Sequence, residues 1–146
     1  MVAVDFLARD STWQGMTTRP GRIRWLAVMA GFFVDILLSE IIRGIGSQFD
    51  AAVLEGATFR SGTTSIVAVL LVLSTGIGGW VAGRMARHEH VLHGVLVGGV
   101  GIFLILLAGL GDAPEPFTNV VLQCFAVLAG GLGGFLSRWI PAPQEQ

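Results

Sequence analysis

Four long apolar runs divide the chain, at about 25–44, 63–83, 93–111 and 119–140. A helix that crosses a bilayer needs about 20 mostly apolar residues. Each run has that length, so each predicts a spanning helix. The pattern predicts an all-α fold: a polytopic membrane protein built as a bundle of four transmembrane helices. Residues 1–24 then form a polar leader, 25–140 the four-helix domain and 141–146 a short tail. A cleaved signal peptide does not fit, because the first run starts only at Trp25 and carries Asp35 at its middle.

Composition agrees with the pattern. Of the 146 residues, 53% are hydrophobic and 13% charged, with a mean hydropathy of +0.72. Soluble domains carry about 25% charged residues, so too little polar surface remains here to coat a soluble core. Disorder is excluded by the same figures. A net charge of -1 gives no basic excess for nucleic acid. The single cysteine, Cys124, excludes an intrachain disulfide and a cysteine-based zinc site, and reads as a small buried hydrophobe.

The arginines orient the chain. Arg9, Arg19, Arg22 and Arg24 precede the first span, Arg84 and Arg87 follow the second, and Arg138 ends the fourth. Only Arg43 and Arg60 fall on the other side. By the positive-inside rule both termini are cytoplasmic. Trp25, Trp80 and Trp139 fall at the same ends of their spans, where an indole suits the headgroup layer. With Arg84 and Arg87 they form a lipid-headgroup set. Residues 84–92 read as a tight turn on this side. The longer connection 45–62 places Phe49, Val53 and Gly56 at helical spacing, and is either an interfacial helix or an extension of the first span.

Glycine supplies the packing signal. Thr75, Gly79 and Gly83 step by four along the second span, Gly94 and Gly98 along the third, and Ala126, Gly130 and Gly134 along the fourth. Lipid gives little hydrophobic drive between helices, so small residues that let backbones approach must hold them. Whether these faces meet within one bundle, between copies of the chain or against a larger membrane complex stays open. The pattern Gly-x-Gly-Gly-aromatic, then Arg, recurs at residues 76–84 and 131–138, as in an internal repeat of two helical hairpins.

The intramembrane polar residues are Asp35, Ser39, Glu40 and Arg43. Asp35 lies ten residues beyond Trp25, about 15 Å along the helix and near mid-bilayer. A carboxyl there costs about 2.5–3.5 kcal/mol on insertion scales and usually faces protein. At equal depth the other spans offer Val69, Leu70, Phe103, Leu104, Ala129 and Gly130, none of them ionisable. Asp35 is therefore a neutral donor to backbone, the partner of another polypeptide, or part of a proton or ion path. Glu40 and Arg43 read as an intrahelical pair. In RHEHVLH, residues 87–93, His90 and His93 share a face without a third ligand, so the histidines read as headgroup-level surface residues and no metal site is expected. No Walker, Rossmann or Ser/His/Asp pattern occurs, so neither cofactor nor catalytic residue is expected, and an enzyme is not expected.

The stretch 76–99, GIGGWVAGRMARHEHVLHGVLVGG, resembles small uncharacterised four-helix bacterial integral membrane proteins of domain-of-unknown-function type. Ala82, Gly83, Arg84, His93 and Gly94 carry the likeness, with Gly133 and Gly134 later in the chain. The resemblance implies a prokaryotic inner-membrane protein and no activity. The expected function is a structural or accessory membrane protein with glycine-mediated helix packing, in contact with the bilayer and open to a homo-oligomer or a larger complex. The alternative is a small proton or cation transporter or channel subunit that uses Asp35. A holin-like pore draws on the glycine faces but lacks a polar-lined helix.

Overall fold

A computed structural model describes residues 23–56, 59–86, 88–108 and 117–139. They form four helices, α1 (Trp25–Ser47), α2 (Gly62–Ala86), α3 (His90–Ala108) and α4 (Phe117–Leu136), and one short 3-10 turn at Ala51–Val53. The helices have 23, 25, 19 and 20 residues. At 1.5 Å per residue each is about 28–38 Å long, against a hydrocarbon core of about 30 Å. All four are long and apolar enough to cross a membrane. The protein is an all-α, four-helix membrane bundle.

The helix ends differ from the apolar runs. α1 continues to Ser47 rather than 44, α2 runs to Ala86 rather than 83, and α3 begins at His90 rather than 93. Apolarity marks the slab a helix crosses, but backbone hydrogen bonding carries the helix beyond it. α4 is shorter than its run, ending at Leu136. The leader before Ile23, residues 109–116, and the tail from residue 140 lie outside the described residues, and so does Arg87.

The connection after α1 divides between the two expected forms. Three further residues join α1, and then a single 3-10 turn replaces an interfacial helix. Val53 is buried there against Gly46, whereas Phe49 is exposed and Gly56 takes a left-handed φ of +71°. Asp50 organises the segment. Its carboxylate accepts the Ala52 N–H at 3.0 Å and the Ser61 O–H at 2.5 Å. These two donors, Ser61 first, hold the Asp50 carboxyl below its ordinary value, with a smaller contribution from Arg60. Ser61 then caps α2. Its hydroxyl accepts the Thr64 N–H at 3.2 Å, and its own N–H donates to Thr64 Oγ1 at 2.8 Å. This reciprocal pair satisfies two donors that a helix start leaves orphaned.

α2 is the central helix and touches all three others, while α3 packs on α4 and lightly on α1. Arg24, Met85, His90, His93 and Ser137 cluster at one end, called basal here. Large apolar side chains such as Phe33, Leu37, Ile66, Phe103 and Leu132 point outward. The small buried core of Val28, Ala82 and Val97 is flanked by Phe32, Leu96 and Val100. Apolar outside and small inside is the arrangement that lipid favours. Cys124 is exposed on the outer surface of α4, not buried as its apolar run suggested.

Candidate functional site

The glycines meet backbone to backbone. α2 and α4 run in the same direction, and a methyl group on Gly79 would overlap the Gly130 carbonyl. One turn further, a methyl on Gly83 would fall 2.6 Å from Ser137 Oγ and 3.0 Å from Gly134 Cα. α3 joins from the other side, where a methyl on Gly130 would lie 2.6 Å from the Gly94 carbonyl. The two segments that repeat in sequence, 76–84 and 131–138, thus pack against each other. Gly76 and Gly133 belong to the same contact, because a methyl on Gly133 would overlap the Gly76 carbonyl. Sequence spacing had not included them.

Two of the expected packing residues differ from the glycines around them. Ala126 is half-buried, and the neighbour that Gly98 meets on α4 is Val127. Thr75 reaches Asp35 on α1. A helix turns 100° per residue, so a stripe stepping by four drifts around the axis, and its two ends serve different partners.

α1 lies antiparallel on α2. Arg24 Nη1 donates to the Met85 carbonyl at 3.0 Å, Gly31 abuts Gly78, and Asp35 meets Ser74. Seven residues along α1 match seven back along α2, and the next four match four. The register puts Asp35 opposite Ser74 and Thr75 rather than Val69 and Leu70. Equal-depth counting from Trp25 and Trp80 misplaced it by about one turn, because the start of α1 lies against Met85, beyond Trp80.

Asp35 is the centre of a polar cluster. Ser74 Oγ lies 2.8 Å from its Oδ1, and Thr75 Oγ1 lies 3.1 and 3.2 Å from Oδ1 and Oδ2. Ser39, one turn along α1, is 2.9 Å from Ser74 Oγ and 3.5 Å from Asp35 Oδ1. Ser74 and Thr75 also approach the Leu71 carbonyl, at 2.8 and 3.3 Å. Ser74 is 1% exposed and Thr75 6%, while Asp35 and Ser39 are half-buried. The described hydrogen-bond partners of Asp35 are hydroxyls, chiefly those of Ser74 and Thr75 on α2, and not backbone groups, while its Cβ lies against Gly78. Glu40 and Arg43 stand apart from the cluster and pair with each other at 3.9 Å, both well exposed.

The basal end is tied by two histidines. The Arg24 N–H donates to His93 Nε2 at 3.0 Å. A backbone N–H can only donate, so Nε2 bears the lone pair, and Nδ1–H donates to the Glu89 carbonyl at 2.9 Å. His90 Nδ1 donates to the carbonyl of Gly83 at 2.5 Å. His93 is 1% exposed, which corrects its reading as a surface residue; only His88 of the three is well exposed. The intervening turn is shorter than expected and carries Glu89 at a left-handed φ of 51°. Trp25 and Trp139 are exposed here, and Arg84 lies 5.8 Å from the ring centroid of half-buried Trp80. Arg138 lies 4.0 Å from the ring of Phe135. Among the described residues no three His, Cys, Asp or Glu side chains converge as a metal-binding group.

Comparison of the chain with protein-family models, curated proteins and solved structures gives no match.

Proposed function

We propose that this chain is a non-enzymatic integral membrane protein of structural or accessory type, seated in a prokaryotic inner membrane with both termini cytoplasmic. The observation that carries the reading is the internal use of its polar and small residues. Asp35 is matched by Ser74 and Thr75 of the same chain. The glycine faces of α2, α3 and α4 are matched by one another. The polar cluster thus serves to seat α1 on α2, and the glycines to make a stiff three-helix base. The outward apolar surface is left for lipid or for another membrane protein. The arginine distribution supports the orientation, and the likeness of residues 76–99 to small bacterial membrane proteins supports the location.

Purification in mild detergent, with chemical crosslinking in the membrane beforehand, tests this reading. The expected result is recovery of a larger membrane complex at fixed stoichiometry, with no proton flux when the protein alone is placed in liposomes. Robust wild-type flux, lost in Asp35→Asn, would replace the accessory reading with that of a transporter.

A further inference from the structure

We propose that the outward face of α1 is the interface for a second copy of this chain. The two copies lie side by side in the membrane, and Glu40 of each meets Arg43 of the other. The inference goes beyond the accessory reading and needs only the membrane bundle.

α1 is the least covered of the four spans, with 17% of its spanning window buried against 22–44% for the others. It packs on α2 and lightly on α3, and its far side is exposed. The positions on that side are Leu26, Met29, Phe33, Ile36, Glu40 and Arg43. Their steps along the chain alternate between three and four residues. That alternation is the repeat of about 3.5 residues by which two parallel helices wrap around each other.

The last two positions are charged, and they lie at lipid depth. α1 and α2 are antiparallel, with Arg24 beside Met85, Gly31 beside Gly78 and Asp35 beside Ser74. The same register puts Glu40 level with Val69 and Arg43 level with Ile66. Both of those apolar side chains are exposed on the outside of α2. Ile45, still further along α1, is exposed as well. A charged residue at this depth almost always faces protein. Arg43 is long enough to reach toward the headgroups, but the shorter Glu40 is not.

Their contact within one helix does not satisfy the two charges. At 3.9 Å it lies beyond hydrogen-bond distance, and both side chains stay half exposed or more. Among the described residues neither side chain takes part in a hydrogen bond. A loosely made ion pair in an apolar medium is costly. A parallel second copy brings the same two charges to the same depth. Successive layers of such a helix pair adjoin, so Glu40 lies against the partner's Arg43 and the reverse holds across the two-fold axis. One helix supplies both signs, which makes the patch complementary to itself. Gly44, one turn beyond Glu40, has nothing within 4 Å of where a methyl would stand, and lets the second helix come close.

The test uses the full-length protein in liposomes, with donor or acceptor fluorophores at the C-terminus. Wild type should show energy transfer that saturates with the protein-to-lipid ratio, above the level of random neighbours. Glu40→Arg alone and Arg43→Glu alone each bring like charges together and should weaken self-association by about tenfold. Mixed with each other, these two variants restore opposite charges and should recover transfer. A chain with both Glu40→Gln and Arg43→Gln carries no charge into this part of the slab, inserts without hindrance, and should also associate more weakly. In native membranes, a crosslink from Phe33→Cys in a Cys124→Ala chain should join two copies. Wild-type transfer no greater than random would overturn the proposal. So would equal transfer in wild type and the doubly neutral variant, no recovery in the mixture, or a crosslink that joins α1 to a different protein instead. Transfer between copies is blind to proton flux and to other proteins that co-purify, so the accessory reading is judged separately.

Discussion

The backbone N–H of Arg24 and Nε2 of His93 meet at 3.0 Å, so the first helix is held at its start by a side chain of the third. Residues 69 positions apart in sequence share this bond. His93→Leu removes the acceptor and leaves Glu89 without its ring donor, and should cost about 1–3 kcal/mol. His93→Gln, which offers both an acceptor and a donor, should recover part of the loss. Thermal melts in detergent check the cost, and faster amide exchange at residues 24–28 in the Leu variant places it at the start of α1.

Glycine substitutions should separate by position. Gly79→Ala and Gly133→Ala put a methyl group into facing backbone, and overpacking costs about 1–3 kcal/mol. Gly101→Ala meets nothing within 4 Å and gains helix propensity, so it should be neutral or stabilising by up to about 1 kcal/mol. Similar melting midpoints for all three variants would remove the packing interpretation.

At Asp35 the outcome should depend on whether an acceptor is kept. Asp35→Asn retains an oxygen for Ser74 and Thr75 and should fold with little loss. Asp35→Leu removes both acceptor oxygens, leaving Thr75 the Leu71 carbonyl and Ser74 that carbonyl and Ser39 Oγ, and should destabilise by about 1–2 kcal/mol. Chemical denaturation of both variants in detergent distinguishes them.

The Asp50 segment should be sensitive to acid. Its folded carboxyl lies below the ordinary value, chiefly through the Ser61 hydroxyl. A depressed carboxyl contributes stability that is full above its unfolded pKa and is lost as pH falls through the folded one. Protease access to residues 48–56 should therefore rise below about pH 4 in wild type. Asp50→Ala should show that access already at neutral pH. Access in wild type that stays unchanged at every acid pH while Asp50→Ala opens the segment would contradict the coupling.

Orientation can be read directly. Reporters fused after residue 115 and at the C-terminus should lie on opposite sides of the membrane, the C-terminal one in the cytoplasm. An external C-terminus would overturn the orientation drawn from the arginines.

The four helices were legible because lipid demands long apolar runs, and such runs are visible in any window of the chain. The site was legible only in part. Asp35 announced itself by its cost at mid-bilayer, but its partners depended on the register between α1 and α2. That register is set at Arg24 and Met85, outside the apolar runs from which depth was counted. Ser74 was missed for this reason, and Thr75 was grouped with the small packing face of α2 and not with Asp35. His93 was misread because a histidine at a span's edge looks like a surface residue until the start of another helix is placed over it. Glycine spacing found most of the packed faces, but Gly76, Gly78 and Gly133 needed the crossing of the helices to be known.

The glycine base has a thermal consequence. Once the helices are formed in lipid, glycine faces have no rotamers to freeze when they meet. Their association therefore loses little side-chain entropy, and should weaken only slowly on warming. The far half of α3 is different, because Phe103, Leu104, Ile105, Leu106 and Leu107 are all exposed and free to move with the acyl chains around them. Warming should therefore loosen the far half of α3 before it parts the glycine faces.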